Sequence, residues 1–181
     1  MSGVERYRLP LDVHLLLVRA GERGREREVL LSRRAGQVYA AGMWHLPSGH
    51  VDGPHEDVVT AVIREAAEET GVRIEPGAVG LAVTVHHRGP QGRARIGLFF
   101  QVRAWRGSPR VREPDVCDAM GWYPLDALPE PMVAYCRAAL DAYRAGLPGA
   151  VHFQEPGDPI PHTADATDDR TRLLAGPEQT P

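Results

Sequence analysis

The stretch REAAEETGV, residues 64–72, places three carboxylates, Glu65, Glu68 and Glu69, within five positions. Its alanines favour a helix, and on a helix positions i, i+3 and i+4 lie on one face. Like charges stacked this way repel and weaken an isolated helix. Either the face is solvated or something positive meets it. A hard divalent cation such as Mg²⁺ is the simplest such partner, because it takes oxygen ligands and binds together with phosphates. Arg64 stands one position before the cluster, roughly 100° round the helix, where it can orient a carboxylate from an adjoining loop.

The rest of the chain organises around this helix. Asp57 suits its N-cap and Gly71 its C-terminal stop, and Val58, Val62 and Ala66 repeat as an apolar stripe between them. Upstream, DVHLLLVRA (12–20) and VLLSRR (29–34) read as strands joined by the Arg-rich turn GERGRERE. The Gly- and Pro-punctuated segment 35–56 carries Tyr39 and Trp44, and a loop this long inside a compact domain is usually functional. Downstream, VGLAVTVHHR (79–88) and RARIGLFFQVRAW (93–105) read as a hairpin closed by GPQG, and MGWYPLDAL (120–128) as a short strand. EPMVAYCRAALDAYRAG (130–146) reads as an amphipathic helix ending at Gly146. This order predicts an α/β fold, a mixed sheet between two helices, over residues 1–153. Residues 154–181, rich in Pro, Asp and Thr, read as a disordered tail.

Composition narrows the chemistry. All 21 basic residues are arginine, which removes the classes that need a lysine: P-loop NTPases, protein kinases and Schiff-base enzymes. A net charge of −3 offers no footprint for a nucleic-acid polymer or an anionic membrane. Two cysteines and no signal-peptide layout in the first twenty residues point to the cytoplasm. Nothing chooses between monomer and homodimer.

GHVDGPHEDVVTAVIREAAEETGV, residues 49–72, resembles the Nudix box, and the second half matches it position for position: Arg64, Glu65, Ala66, Glu68, Glu69, Gly71 and Val72. Five such identities coincide by chance in about one window per million. Glu56 lies eight before Arg64, as the box requires, but six residues rather than five separate it from Gly49. Either the loop absorbs the extra residue or His55 takes the glutamate's place; rigid helical spacing favours Glu56. GMWHLPSGH (42–50) and GWYPLDALP (121–129) are also similar to family segments, so the resemblance spans about residues 10 to 145.

The resemblance implies an α/β/α sandwich and hydrolysis of a nucleoside diphosphate linked to another group, with Mg²⁺ or sometimes Mn²⁺. Glu65, Glu68 and Glu69 would hold the metal or orient the attacking water, with the Gly49 carbonyl as a further ligand. Arg64 would hold Glu56 or a neighbouring ligand, and Glu113 would be the extra glutamate that members recruit from a later loop. Family markers for ADP-ribose, diadenosine polyphosphate, coenzyme A and NADH substrates are absent, which leaves a MutT-like conversion of a nucleoside triphosphate to monophosphate and pyrophosphate. ADP-ribose or a nucleotide sugar is the alternative substrate, and a non-catalytic ligand-binding module the alternative class. Tyr39, Trp44 and Asp118 are candidates for holding the base, and Arg95 for reaching a phosphate.

Overall fold

The computed structural model describes residues 6–21, 26–163 and 170–176. The first strand, β1 (Leu11–Ala20), is buried on both faces, as its nearly unbroken apolar run requires. Val13, Leu15 and Leu17 enter one core and Leu16 the opposite one. β1 runs antiparallel to β2 (Arg27–Arg34) and parallel to β6 (Ala94–Val102). Between them in sequence lie two short strands, β3 (Trp44–His45) on β2 and β4 (Ser48–His50) on β1. β5 (Val79–Arg88) pairs antiparallel with β6, and β7 (Cys117–Pro124) with β2.

α1 (Val58–Glu65) packs Ala61 and Val62 against β1, in the core that also holds Phe100 and Val102. α2 (Ala134–Arg144) covers the other face with Ala139, Leu140 and Ala142, whose small side chains let its backbone approach the sheet. A mixed sheet between two helices is the expected architecture. α2 is shorter than its periodicity suggested, because the stretch before it is held extended on β3. Trp44 N–H donates to Pro131 O at 2.9 Å, and Val133 N–H to Trp44 O at 3.0 Å.

Four strands were not anticipated: β3 and β4, inside the segment read as a loop, and two near the C-terminal end. β8 (Gly149–Phe153) adds in parallel to β5, and β9 (Thr171–Leu174) pairs antiparallel with β8. The segment read as a disordered tail therefore adds β9 to the sheet, and its residues 154–163 form a loop beside it. Its Asp and Pro residues make a clamped loop: the Asp158 carboxylate accepts from Glu155 N–H at 2.7 Å and from Arg170 Nε at 2.8 Å. Residues 164–169 and 177–181, and positions 22–25 of the predicted Arg-rich turn, lie outside the described residues. Among the described residues no helix is long and apolar enough to cross a membrane.

Candidate active site

Asp57 starts α1 as predicted, its carboxylate accepting from Val59 and Thr60 N–H at 2.9 and 3.0 Å. The helix then departs from the ideal. Ala66–Thr70 widens into a π-turn before Gly71 ends it in the left-handed region at φ 76°. Such turns concentrate at functional sites, and this one carries Glu68 and Glu69.

Arg64 organises the acidic residues. Its Nε and one terminal nitrogen donate to the two oxygens of Glu56 at 2.8 and 3.1 Å. Its other terminal nitrogen donates to Glu65 at 2.8 Å and Glu68 at 3.0 Å, and a further bond runs to His50 O at 2.9 Å. Asp52 N–H holds Glu56 from the other side at 2.6 Å, so Glu56, not the exposed His55, fills the box position. A Cβ at Gly49 would fall on the Glu65 carboxylate, which would have to leave its place beside Arg64.

Glu69 makes no bond to Arg64 and reaches β4 instead. Its carboxylate accepts from Ser48 N–H at 2.9 Å. Burial, reinforced by the charges of Glu65 and Glu113, raises its pKa to about 8. Glu113 sits with Glu69, His45 and Cys117 around a small side cavity of about 50 Å³. Among the described residues no three His, Cys, Asp or Glu side chains converge on one point, since Arg64 draws Glu65 and Glu68 toward itself. The donor set nonetheless fits a hard cation: all its atoms are oxygen, and a positive charge would relieve the burial and repulsion acting on Glu69.

Glu69, Ser48 and Gly49 open onto a cavity of about 400 Å³, well within the range of small-molecule sites. Arg34, Arg93 and Arg95 line it. Arg95 donates to Asp12 at 2.9 Å and Arg34 Nε to Tyr39 O at 2.6 Å, while Arg93 has no ion-pair partner among the described residues. His14 and Tyr135 also line the cavity. His14 stacks on Phe99 at 4.1 Å, and Tyr135 meets it edge-on. Among the described residues neither ring nitrogen of His14 nor the Tyr135 hydroxyl has a hydrogen-bond partner, though both residues are under 7% exposed. Burial, then the neighbouring His45 and Arg95, holds His14 neutral; burial and His152 lower His87 to about 3.

Of the residues expected to hold a base, Tyr39 lines this cavity, as does Arg95, which was expected to reach a phosphate. Trp44 and Asp118 do not. The Trp44 ring packs edge-on against Tyr123 at 4.8 Å with the Arg33 guanidinium over it, and Arg33 grips the exposed Asp118 at 2.8 and 3.1 Å. The β2–β3 and β2–β7 pairings carry both to a separate surface cluster. Sequence reasoning missed Asp12, His14, Tyr135 and Gln154. The available signal was a polar residue at every second position of an apolar strand, Asp12 and His14 in β1.

Comparison with known proteins agrees with this geometry. The family model described as NUDIX domain matches residues 10–142. The chain belongs to the NUDIX hydrolase family. It is 32% identical over 110 residues to the human 8-oxo-dGDP phosphatase NUDT18, covering 60% of this chain and 32% of that protein, so it spans about a third of that relative's length. It is 30% identical over 122 residues to the CTP pyrophosphohydrolase of Escherichia coli K12, covering 67% of this chain and 85% of the other. Among solved structures, a MutT NUDIX hydrolase from Burkholderia pseudomallei superposes with a TM-score of 0.65 at 34% identity, covering 75% of this chain and 98% of that one.

Proposed function

We propose that this protein is a divalent-cation-dependent nucleotide pyrophosphohydrolase that converts a nucleoside triphosphate to the monophosphate and pyrophosphate. The observation that carries the reading is the acidic turn in which Arg64 holds Glu65 and Glu68 while Glu69 opens onto a cavity lined by three arginines. Relatives named for acting on 8-oxo-dGDP and on CTP support a nucleotide substrate.

Glu65, Glu68, Glu69 and the Gly49 carbonyl would hold Mg²⁺ or Mn²⁺, which supplies charge neutralisation on the polyphosphate and acidifies a bound water. Arg64 fixes the carboxylates in register and keeps Glu56 ionised, a positioning role. Arg34, Arg93 and Arg95 bind phosphate oxygens, for which planar guanidinium groups are suited. Glu69, pinned by Ser48 N–H, is a ligand and can share a proton with the attacking water; Glu113, beside it, is the candidate general base.

The test is hydrolysis with Mg²⁺ or Mn²⁺, the products resolved by phosphorus NMR. The panel holds canonical and oxidised nucleoside triphosphates and diphosphates, ADP-ribose and nucleotide sugars, with Glu69→Gln as control. Pyrophosphate from triphosphates, lost in the control, is the expected outcome. Turnover confined to ADP-ribose or sugars overturns the substrate assignment, and no turnover overturns the enzymatic one.

A further inference from the structure

The family match ends at residue 142, yet the cavity does not. Gln154 and Ile160, from the segment that follows β8, form part of its lining. The sheet order β4–β1–β6–β5–β8 puts Gln154, just past the end of β8, four strand spacings from β4 on the glutamate side, roughly 19 Å at about 4.8 Å per strand. Gln154 therefore faces a part of the substrate remote from the bond that breaks, and Ile160 joins the lining from beside the start of α2.

This wall is tied to the cavity floor. β8 sets His152 beside His87, with Nδ1 atoms 3.0 Å apart and rings stacked at 5.1 Å. His87 stacks in turn on Tyr135 at 4.5 Å. Backbone bonds fasten the loop at both ends: Gln154 N–H donates to Arg88 O at 2.9 Å, and His162 N–H to Met132 O at 2.7 Å. Ala134 N–H, at the start of α2, donates to Ile160 O at 3.2 Å.

Gln154 is 5% exposed, and its amide nitrogen donates to Pro159 O at 2.6 Å. A carbonyl can only accept, so this bond fixes the amide's orientation. No hydrogen bond among the described residues engages its oxygen. Together with the unpartnered Tyr135 hydroxyl and His14 ring nitrogens, the floor and wall offer uncharged donors and acceptors around apolar surface. Buried polar groups of this kind call for a partner. A planar heterocycle with a hydrogen-bonding edge fits them, whereas a phosphate belongs with the arginines.

We propose that residues 149–162 form a specificity wall, with Gln154 and Ile160 contacting the nucleobase of a bound nucleotide and selecting among bases. The inference rests on the nucleotide reading given above. Its test compares kcat/KM for the four canonical triphosphates in the full-length protein, Gln154→Met and Ile160→Ala, alongside calorimetric binding of nucleoside monophosphates to the unmodified protein. Each variant is expected to change the ratio between the preferred base and the others by roughly tenfold, with the effect in KM rather than kcat. Ile160→Ala retains the Gln154–Pro159 tether and carries the test where Gln154→Met does not fold. Unchanged ratios between the bases, as when all four substrates lose equally, overturn the wall while leaving the nucleotide reading intact. A protein that neither binds nor hydrolyses any nucleotide overturns both.

Discussion

Replacing Glu69 by glutamine retains the shape and an oxygen to accept from Ser48 N–H, while removing the ionisation. Glu69's pKa rises from 4.5 to about 8 on folding, chiefly through burial. The folded protein therefore keeps this proton across a range where the unfolded chain has lost it. Any stability linked to the group is present below pH 4.5 and is lost as pH rises through 8. The full gap corresponds to roughly 5 kcal/mol at 1.36 kcal/mol per unit. Because the carboxyl faces an open cavity on one side, solvent screening reduces the expected effect to about 3 kcal/mol. Urea denaturation of both proteins in EDTA, from pH 4 to 9, reads it directly. The two should match at pH 4, and Glu69→Gln should be the more stable by about 3 kcal/mol at pH 9. Taking the difference between the proteins cancels the titrating groups that are not coupled to Glu69, leaving it with its neighbours Glu65 and Glu113. A gap that stays constant between pH 4 and 9 would refute the assignment of a buried, repelled carboxylate.

Three further outcomes are expected. Arg64→Lys should lose about 100-fold or more in turnover and fare little better than Arg64→Ala, since an ammonium cannot grip Glu56 with two nitrogens while holding Glu65 and Glu68; steady-state kinetics checks this. Gly49→Ala puts a methyl where the Glu65 carboxylate lies, so thermal denaturation should show a loss of about 1–3 kcal/mol and kinetics at least a tenfold loss of turnover. Asp118→Ala should leave turnover within about twofold, because its pairing with Arg33 lies at the surface away from the cavity; a tenfold loss would return Asp118 to the site.

The parts legible in the sequence are those whose information is local. The cap at Asp57, the stop at Gly71 and the spacing from Glu56 to Glu69 are set by short-range rules, and the structure keeps all of them. The π-turn was not legible, since a helix that widens by one residue leaves the apolar stripe almost unchanged. Two of the three residues expected to hold the base, Trp44 and Asp118, lie outside the cavity for a different reason. Which way Trp44 faces depends on the pairing of β3 with β2, a contact that no local spacing encodes. The floor residues His14, His87 and Tyr135 come from β1, β5 and α2, and meet only through that topology. The C-terminal wall was misread because its Pro and Asp content is also that of disorder; the Asp158–Arg170 pair and the backbone clips order it.

Arg64 reaches Glu56 across a fixed gap of 2.8 Å, and the N-cap at Asp57 anchors the helix from its own side of the loop. Position is thus measured between two rigid partners and not along the chain that joins Gly49 to Glu56. The loop between them can gain a residue without moving any carboxylate. A search pattern that counts residues there will pass over members whose acidic turn is intact, whereas one that measures from Arg64 will find them.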